Sequence, residues 1–206
     1  MKNFTQIAAG IDVFPLLMDL QRQPFLWDKN PCRLSKRGPH HETSDIVIRY
    51  KDETENFKTG DFSNFSDEHV GDWYKAVDHL PYAKKLSLEL MNLVNGEVLG
   101  AVLIYRVRPG EKIYSHIDQG WHANTFEKYN ICLESNSKAA FCYENEQMVQ
   151  KKGDLHWFRN DVPHWVINEG DTDHIILCIC IRQDNGYRVP WSPEGWTMDK
   201  HLEGRK

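Results

Sequence analysis

From residue 97 onward the hydrophobic period of this chain changes from helical to strand-like, and no other feature limits its fold so strongly. Val98 to Val107, Lys128 to Leu133, Ala139 to Tyr143, Asp154 to Phe158, Trp165 to Asn168 and His174 to Ile181 are short runs rich in β-branched and aromatic residues. Turn-forming residues separate them: Pro109-Gly110, Ser135-Asn136, Lys152-Gly153, Asn160-Asp161 and Asn168-Glu169-Gly170. So many short strands within about 85 residues, with helices segregated upstream, predict a mainly β fold. The expected architecture is a barrel or double-sheet jelly roll, its helices covering the outer face of one sheet.

The upstream half reads as mixed. Asp12 to Gln23 places Val13, Leu16, Leu17 and Leu20 at helical spacing, and Pro24 ends the pattern. Ile46 to Tyr50 reads as a strand, and residues 51 to 68 as a polar surface loop. Leu80 to Val94 aligns Ala83, Leu86, Leu90, Leu93 and Val94 on one side, with Asn95-Gly96 as the stop. No repeat or linker divides the 206 residues, so the expectation is a single domain over 1–206. Residues 1–96 form its mixed cover, 97–182 the β core and 183–206 a C-terminal extension.

Charge excludes some partners. The formal charge is −5, and the densest basic stretch, Arg33 to Arg37, holds three cations in five residues. That argues against nucleic acid as the partner. No apolar run approaches the roughly 20 residues that span a bilayer. Ala8 to Leu20 is broken by Gly10, Asp12, Pro15 and Asp19, so it fails as a signal peptide. Four of the five cysteines (132, 142, 178 and 180, with Cys32 apart) lie inside apolar strand-like runs and none forms a C-x-x-C pair. Buried thiols in a reducing, cytoplasmic compartment are expected.

Chemistry concentrates in two places. His116-Ile-Asp118 follows the Pro109-Gly110 turn, and His164 comes 46 residues after Asp118. Residues i and i+2 of a strand share a face, so His116 and Asp118 can offer an imidazole and a carboxylate to one point. A third ligand from a distant strand completes a 2-His-1-carboxylate set, which suits non-haem iron and leaves about three positions open. The same ligand types suit catalytic zinc. His-x-Asp alone is common in a chain with ten histidines; its context gives it weight.

The succession of motifs resembles the aspartyl/asparaginyl β-hydroxylase-like branch of the Fe(II)/2-oxoglutarate dioxygenases. The matching stretches begin with Tyr105-Arg-Val-Arg-Pro-Gly-Glu-Lys-Ile-Tyr-Ser-His-Ile-Asp-Gln-Gly120 and Glu127-Lys-Tyr-Asn-Ile-Cys-Leu133. They continue with Gly153-Asp-Leu-His-Trp-Phe-Arg-Asn160, Pro163-His-Trp-Val-Ile-Asn168 and Asp173-His-Ile-Ile-Leu-Cys-Ile179. The resemblance implies a double-stranded β-helix, the jelly roll also found in cupins. It implies Fe(II) held by His116, Asp118 and His164, with 2-oxoglutarate and O₂ as cosubstrates. The implied reaction converts 2-oxoglutarate to succinate and CO₂ while hydroxylating an unactivated C–H bond of a small molecule, or of a peptide or protein.

One departure stands out. Ten residues after the distal histidine the family places an arginine on the far carboxylate of 2-oxoglutarate, and this chain has His174. A histidine offers at most two donors and no fixed charge. Lys128, with His174 and Asn130, is the expected replacement anchor, although Lys128 also reads as a solvated strand-end lysine. Trp121, His122 and Arg106 are candidate substrate contacts, with an exposed loop or strand edge as the plainer reading. Three other functions stay open at this point: a cupin-type iron dioxygenase that does not use 2-oxoglutarate, a non-catalytic binding module of the same fold, and a zinc hydrolase.

Overall fold

The computed structural model describes residues 2–30, 38–51, 54–63, 68–69 and 71–183. Cys32, the basic stretch Arg33 to Arg37 and residues 184–206 of the expected extension lie outside the described residues.

Both expected helices form. The first, α1 (Phe14–Arg22), carries Pro15 in its opening turn, where a missing amide hydrogen costs no helical bond. It buries Leu16, Leu17 and Leu20, with Val13 just ahead of it. A short 3₁₀ turn (Pro24–Leu26) follows. The longer helix, α4 (Pro81–Leu93), buries Ala83, Leu86 and Leu90, with Val94 behind it. Leu93 departs from the expected stripe and is exposed. It ends the helix, and Asn95 then takes a positive φ of 51° that turns the chain into the next strand. Two shorter helices, α2 (Thr54–Thr59) and α3 (Ala76–His79), flank β3 (Asp72–Trp73). The expected loop over 51–68 therefore contains one helical turn and a half. Among the described residues no helix is long and apolar enough to cross a membrane.

Two antiparallel sheets make the body. The strands are β1 (Phe4–Ala8), β2 (Ser44–Tyr50), β4 (Gly96–Val107), β5 (Lys112–His116), β6 (Glu127–Glu134) and β7 (Ala139–Tyr143). After them come β8 (Gln147–Met148), β9 (Leu155–Phe158), β10 (His164–Asn168) and β11 (His174–Gln183). The larger sheet runs β1-β9-β6-β11-β4-β2-β3 and the smaller β5-β10-β7-β8. Thus the upstream segment is more than a cover: it supplies three strands of the seven. The single residue pattern of β1 and β3 is too short to announce this.

Strand alternation divides the larger sheet's side chains between two cores. Tyr129, Ile131, Leu133, Leu177, Ile179, Val102 and Ile104 meet α1 and α4 through Leu16, Leu20, Leu86 and Leu90. The opposite face, through Tyr105, Val107, Cys132, Ile176 and Cys178, meets Ile113, Phe141, Tyr143 and Val166 across the two sheets. Each fully buried Leu or Ile contributes about 1.5–3 kcal/mol by leaving water. The described cysteines are all buried and form no disulfide.

Asn168 closes the end of this sandwich. Its Nδ2 donates to the carbonyls of Val107 and Thr172, each at 2.8 Å, and its Oδ1 accepts from Asn136 Nδ2 and the Gly170 amide. Gly153 fixes the other end of β9. It has φ +81°, and a Cβ there would lie 2.6 Å from the Ile11 carbonyl oxygen. Gly153→Ala is expected to cost at least about 2 kcal/mol, since the left-handed strain alone is about 1–3 kcal/mol. Thermal melts should show a drop of about 5 °C or more.

Candidate metal centre

The end of β5 and the start of β10 meet in register: His116 and His164 are cross-strand partners. Their rings lie 4.4 Å apart between centroids. Asp118 follows two residues beyond the end of β5, and its amide donates to the Asn160 carbonyl at 3.0 Å. The strand stops at His116, so this loop contact, rather than strand alternation, holds the carboxylate in place.

The Nε2 of His116 is 3.6 Å from Asp118 Oδ1, and the Nε2 of His164 is 3.7 Å from Asp118 Oδ2. One ligand atom from each of the three residues falls within 4.8 Å of the others. Both imidazoles are oriented the same way. His116 Nδ1 lies 2.7 Å from the Tyr114 carbonyl and His164 Nδ1 lies 2.9 Å from the Val162 carbonyl. A carbonyl only accepts, so each Nδ1 carries a proton; Nε2 then offers a lone pair when the ring is neutral and donates when it is protonated. Both Nε2 atoms face the carboxylate.

Electrostatics keep the set ready for a cation. Burial works against ionised Asp118, but the His116 ring and the Lys128 charge hold its carboxyl well below the usual range. Burial also acts against charged Lys128, and the Asp118 carboxylate outweighs it, so the ammonium is retained. The Lys128 Nζ to Asp118 Oδ2 distance is 2.5 Å. Burial lowers the pKa of His164 to about 4, which leaves it a neutral donor near pH 7. Phe141 lies parallel to its ring at 5.4 Å.

A strap from the upstream segment supports this centre. Tyr114 donates its amide to the Pro39 carbonyl at 2.9 Å and its hydroxyl to Glu42. The His41 ring stacks on Tyr114 at 4.7 Å, and the His40 ring meets His116 edge-on at 5.0 Å. Tyr114, Glu42 and Phe141 were not among the residues expected at the site. Their positions follow from which strands pair, and no local motif signals that.

The other expected site residues are not all gathered here. Lys128 sits at Asp118. Its strand partner on β11 is Cys180, six residues from His174, roughly 20 Å at the usual strand rise. The two therefore do not converge on one carboxylate. Asn130 lies between, fully buried, its Nδ2 3.2 Å from the Tyr105 hydroxyl. His174 is 1% exposed, with Nδ1 2.9 Å from the Ser135 hydroxyl.

Two substrate candidates are corrected. Arg106 does not face the space between the sheets. Alternation gives that face to Tyr105 and Val107 and places the Arg106 guanidinium 4.2 Å over Trp27 and 3.9 Å from Asp173. His122 is not on an exposed loop. It lies in a short helix, α5 (Trp121–Thr125), buried and stacked on Phe126 at 4.5 Å, and its Nε2 accepts the Ala101 amide at 3.3 Å. Trp121 is half-buried in the same helix, edge-on to Phe126. His156, on an inner strand, makes a hydrogen bond to Gln150. Trp157 packs on the helix-facing side, and its indole donates to Glu127.

Lys128→Met should act in opposite directions on the metal-free and metal-loaded forms. The former keeps a largely buried carboxylate with no ammonium and should lose about 3 kcal/mol, the lower end for a broken buried pair. The latter loses a competing cation, so divalent metal should bind more tightly. Melting curves with and without metal would read both effects.

Residues 68–184 match the model of the aspartyl/asparaginyl beta-hydroxylase family. The chain belongs to that family. It is accordingly a non-haem Fe(II) dioxygenase of the hydroxylase type, with 2-oxoglutarate and O₂ as cosubstrates. This membership displaces the zinc hydrolase, the cupin-type dioxygenase without 2-oxoglutarate and the non-catalytic module. Solved structures agree on the double-stranded β-helix fold. An oxidoreductase of the 2OG-Fe(II) oxygenase family from Burkholderia pseudomallei superposes with a TM-score of 0.56 at 12% identity, over 89% of this chain and 86% of its own. A Pseudomonas putida prolyl-4-hydroxylase superposes with a TM-score of 0.51 at 13% identity, over 89% and 94%. No curated protein matches the chain.

Proposed function

We propose that His116, Asp118 and His164 hold the Fe(II) of this family member and that the enzyme hydroxylates a C–H bond of a peptidyl or free amino-acid side chain. The observation that carries the metal assignment is the convergence of two Nε2 lone pairs and one ionised carboxylate. O₂ is the oxidant; when bound, the iron would activate it, and 2-oxoglutarate would be oxidised to succinate and CO₂ alongside the hydroxylated substrate. The protein's part is to orient the ligands, keep Asp118 ionised through Lys128 and shield His164 with Phe141 and Phe158.

For 2-oxoglutarate, the fit rests on a buried nitrogen that lacks a partner in the inter-sheet space, His174 Nε2. Lys128 would serve the iron end of the cosubstrate and His174 its far end; Asn130, its amide turned so that Oδ1 accepts from the Tyr105 hydroxyl and Nδ2 donates inward, would serve its middle. Trp121 remains the candidate for substrate contact beside the centre. The chain is read as one domain acting on a small molecule or peptide in a reducing compartment such as the cytoplasm, in keeping with its buried free thiols.

Anaerobic titration of the apo-protein with Fe(II), then 2-oxoglutarate, tests the proposal. A weak visible charge-transfer band should appear only when both are present. Iron binding with no band at saturating 2-oxoglutarate would overturn the cosubstrate assignment.

A further inference from the structure

The His174 side chain is closed off from solvent, with 1% exposure, yet its Nε2 has no hydrogen-bond partner. Its other nitrogen is committed. Ser135 Oγ lies 2.9 Å from Nδ1, against 3.5 Å from the Asn136 carbonyl, so the single hydroxyl proton is best used on Nδ1. That fixes the tautomer: Nε2 carries the ring's hydrogen and is a buried donor awaiting an acceptor. Alternation along β11 puts His174 on the side of Ile176 and Cys178, the face turned to the smaller sheet. Asn130 is directly opposite Cys178 on β6, and Tyr105 is opposite Ile176 on β4. Burial keeps the imidazole neutral, lowering its pKa to about 4.

We propose that the Ser135–His174 pair reads the distal carboxylate of the 2-oxo acid cosubstrate through one neutral N–H. This rests on the 2-oxoglutarate reading given above and assigns Ser135 a role as a positioning residue. A single uncharged donor makes a monodentate contact, whereas a guanidinium makes a charged fork. The pocket should therefore favour a dicarboxylic over a monocarboxylic 2-oxo acid by a modest factor. One hydrogen bond to a charged group corresponds to about 10- to 100-fold.

The test compares 2-oxoglutarate with 2-oxopentanoate, which has the same chain length and 2-oxo acid head but ends in a methyl group. Each is titrated anaerobically into the Fe(II)-loaded full chain, and the dissociation constant is read from the visible band. Wild type should prefer 2-oxoglutarate by about 10- to 100-fold. His174→Ala should lower its affinity for 2-oxoglutarate and leave that for 2-oxopentanoate unchanged, removing most of the preference. His174→Gln, which offers an uncharged N–H near the Nε2 position, should retain it. Ser135→Ala should reduce the preference partway and Ser135→Thr should restore it, independently of whether His174→Ala folds. An undiminished preference in His174→Ala or Ser135→Ala would overturn the proposal while leaving the cosubstrate reading intact. Failure of both 2-oxo acids to produce a band in wild type would overturn the cosubstrate reading and this inference together.

Discussion

His164→Ala is expected to abolish iron-dependent formation of succinate from 2-oxoglutarate. Loss of a group that merely orients a metal ligand typically costs 10- to 100-fold in affinity or activity. Removal of a ligand itself should exceed about 100-fold, leaving signal at background. His164 is 4% exposed and stacked on Phe141, so truncation also opens a small cavity. His116→Ala separates the two effects. Its ring lies at the rim, 15% exposed, so it is the proposed ligand with less packing behind it. Both variants should lose tight Fe(II) binding, measured by equilibrium dialysis, while His116→Ala should keep a near-native melting temperature. Full succinate formation by either variant would refute the ligand assignment.

Acid should destabilise the metal-free protein well above the carboxylate range. Burial lowers His164 and His174 to about 4 in the folded state, against about 6.5 in an unfolded chain. Above pH 6.5 both states are neutral and stability is undiminished. Between pH 6.5 and about 4 only the unfolded chain takes up protons, so stability falls, and below that range these two groups add nothing further. At pH 5 each contributes about 2 kcal/mol of destabilisation, roughly 4 kcal/mol together. For a chain of this size that is a drop of about 8–16 °C between pH 7.5 and 5 in the presence of chelator. Burial shifts His156 in the same direction. Asp118 acts in the same direction but lower down: its carboxyl is also lowered, so its contribution is lost only as the pH falls below 3.8, outside this window. His174→Gln should remove about half of the drop. A melting temperature flat from pH 7.5 to 5 would contradict the burial of both rings as neutral groups.

Much of this was legible in the residues, for a physical reason. Alternation and turn chemistry are local, so the strands from Val98 to Ile181 and the two long helices could be placed from neighbouring side chains alone. Alternation also suggested the pair His116 and Asp118, although β5 ends at His116 and the Asn160 carbonyl, not the strand, places Asp118. His164 became a partner only through a motif succession, because cross-strand registry with His116 depends on which strands pair. Registry also hid the entry of Phe4–Ala8 into the larger sheet and the strap at Glu42 and Tyr114. Arg106 and His122 were misplaced for another reason. A polar side chain on a strand end or after a turn is usually at the surface or a mouth. Here Trp27 and the Ala101 amide offer each a partner from a distant element.

The pairing of His116 with His164 has a mechanical consequence. Among the described residues β5 lies at the margin of the smaller sheet, with β10 as its one strand partner and only the Tyr114–Pro39 backbone bond on its outer side. A metal held by both strands, as proposed, would be a rivet through the outermost seam. Cofactor loading and local fraying should oppose each other there: iron should suppress amide exchange along Lys112–His116, and depletion should free that margin first, before the seven-stranded sheet yields.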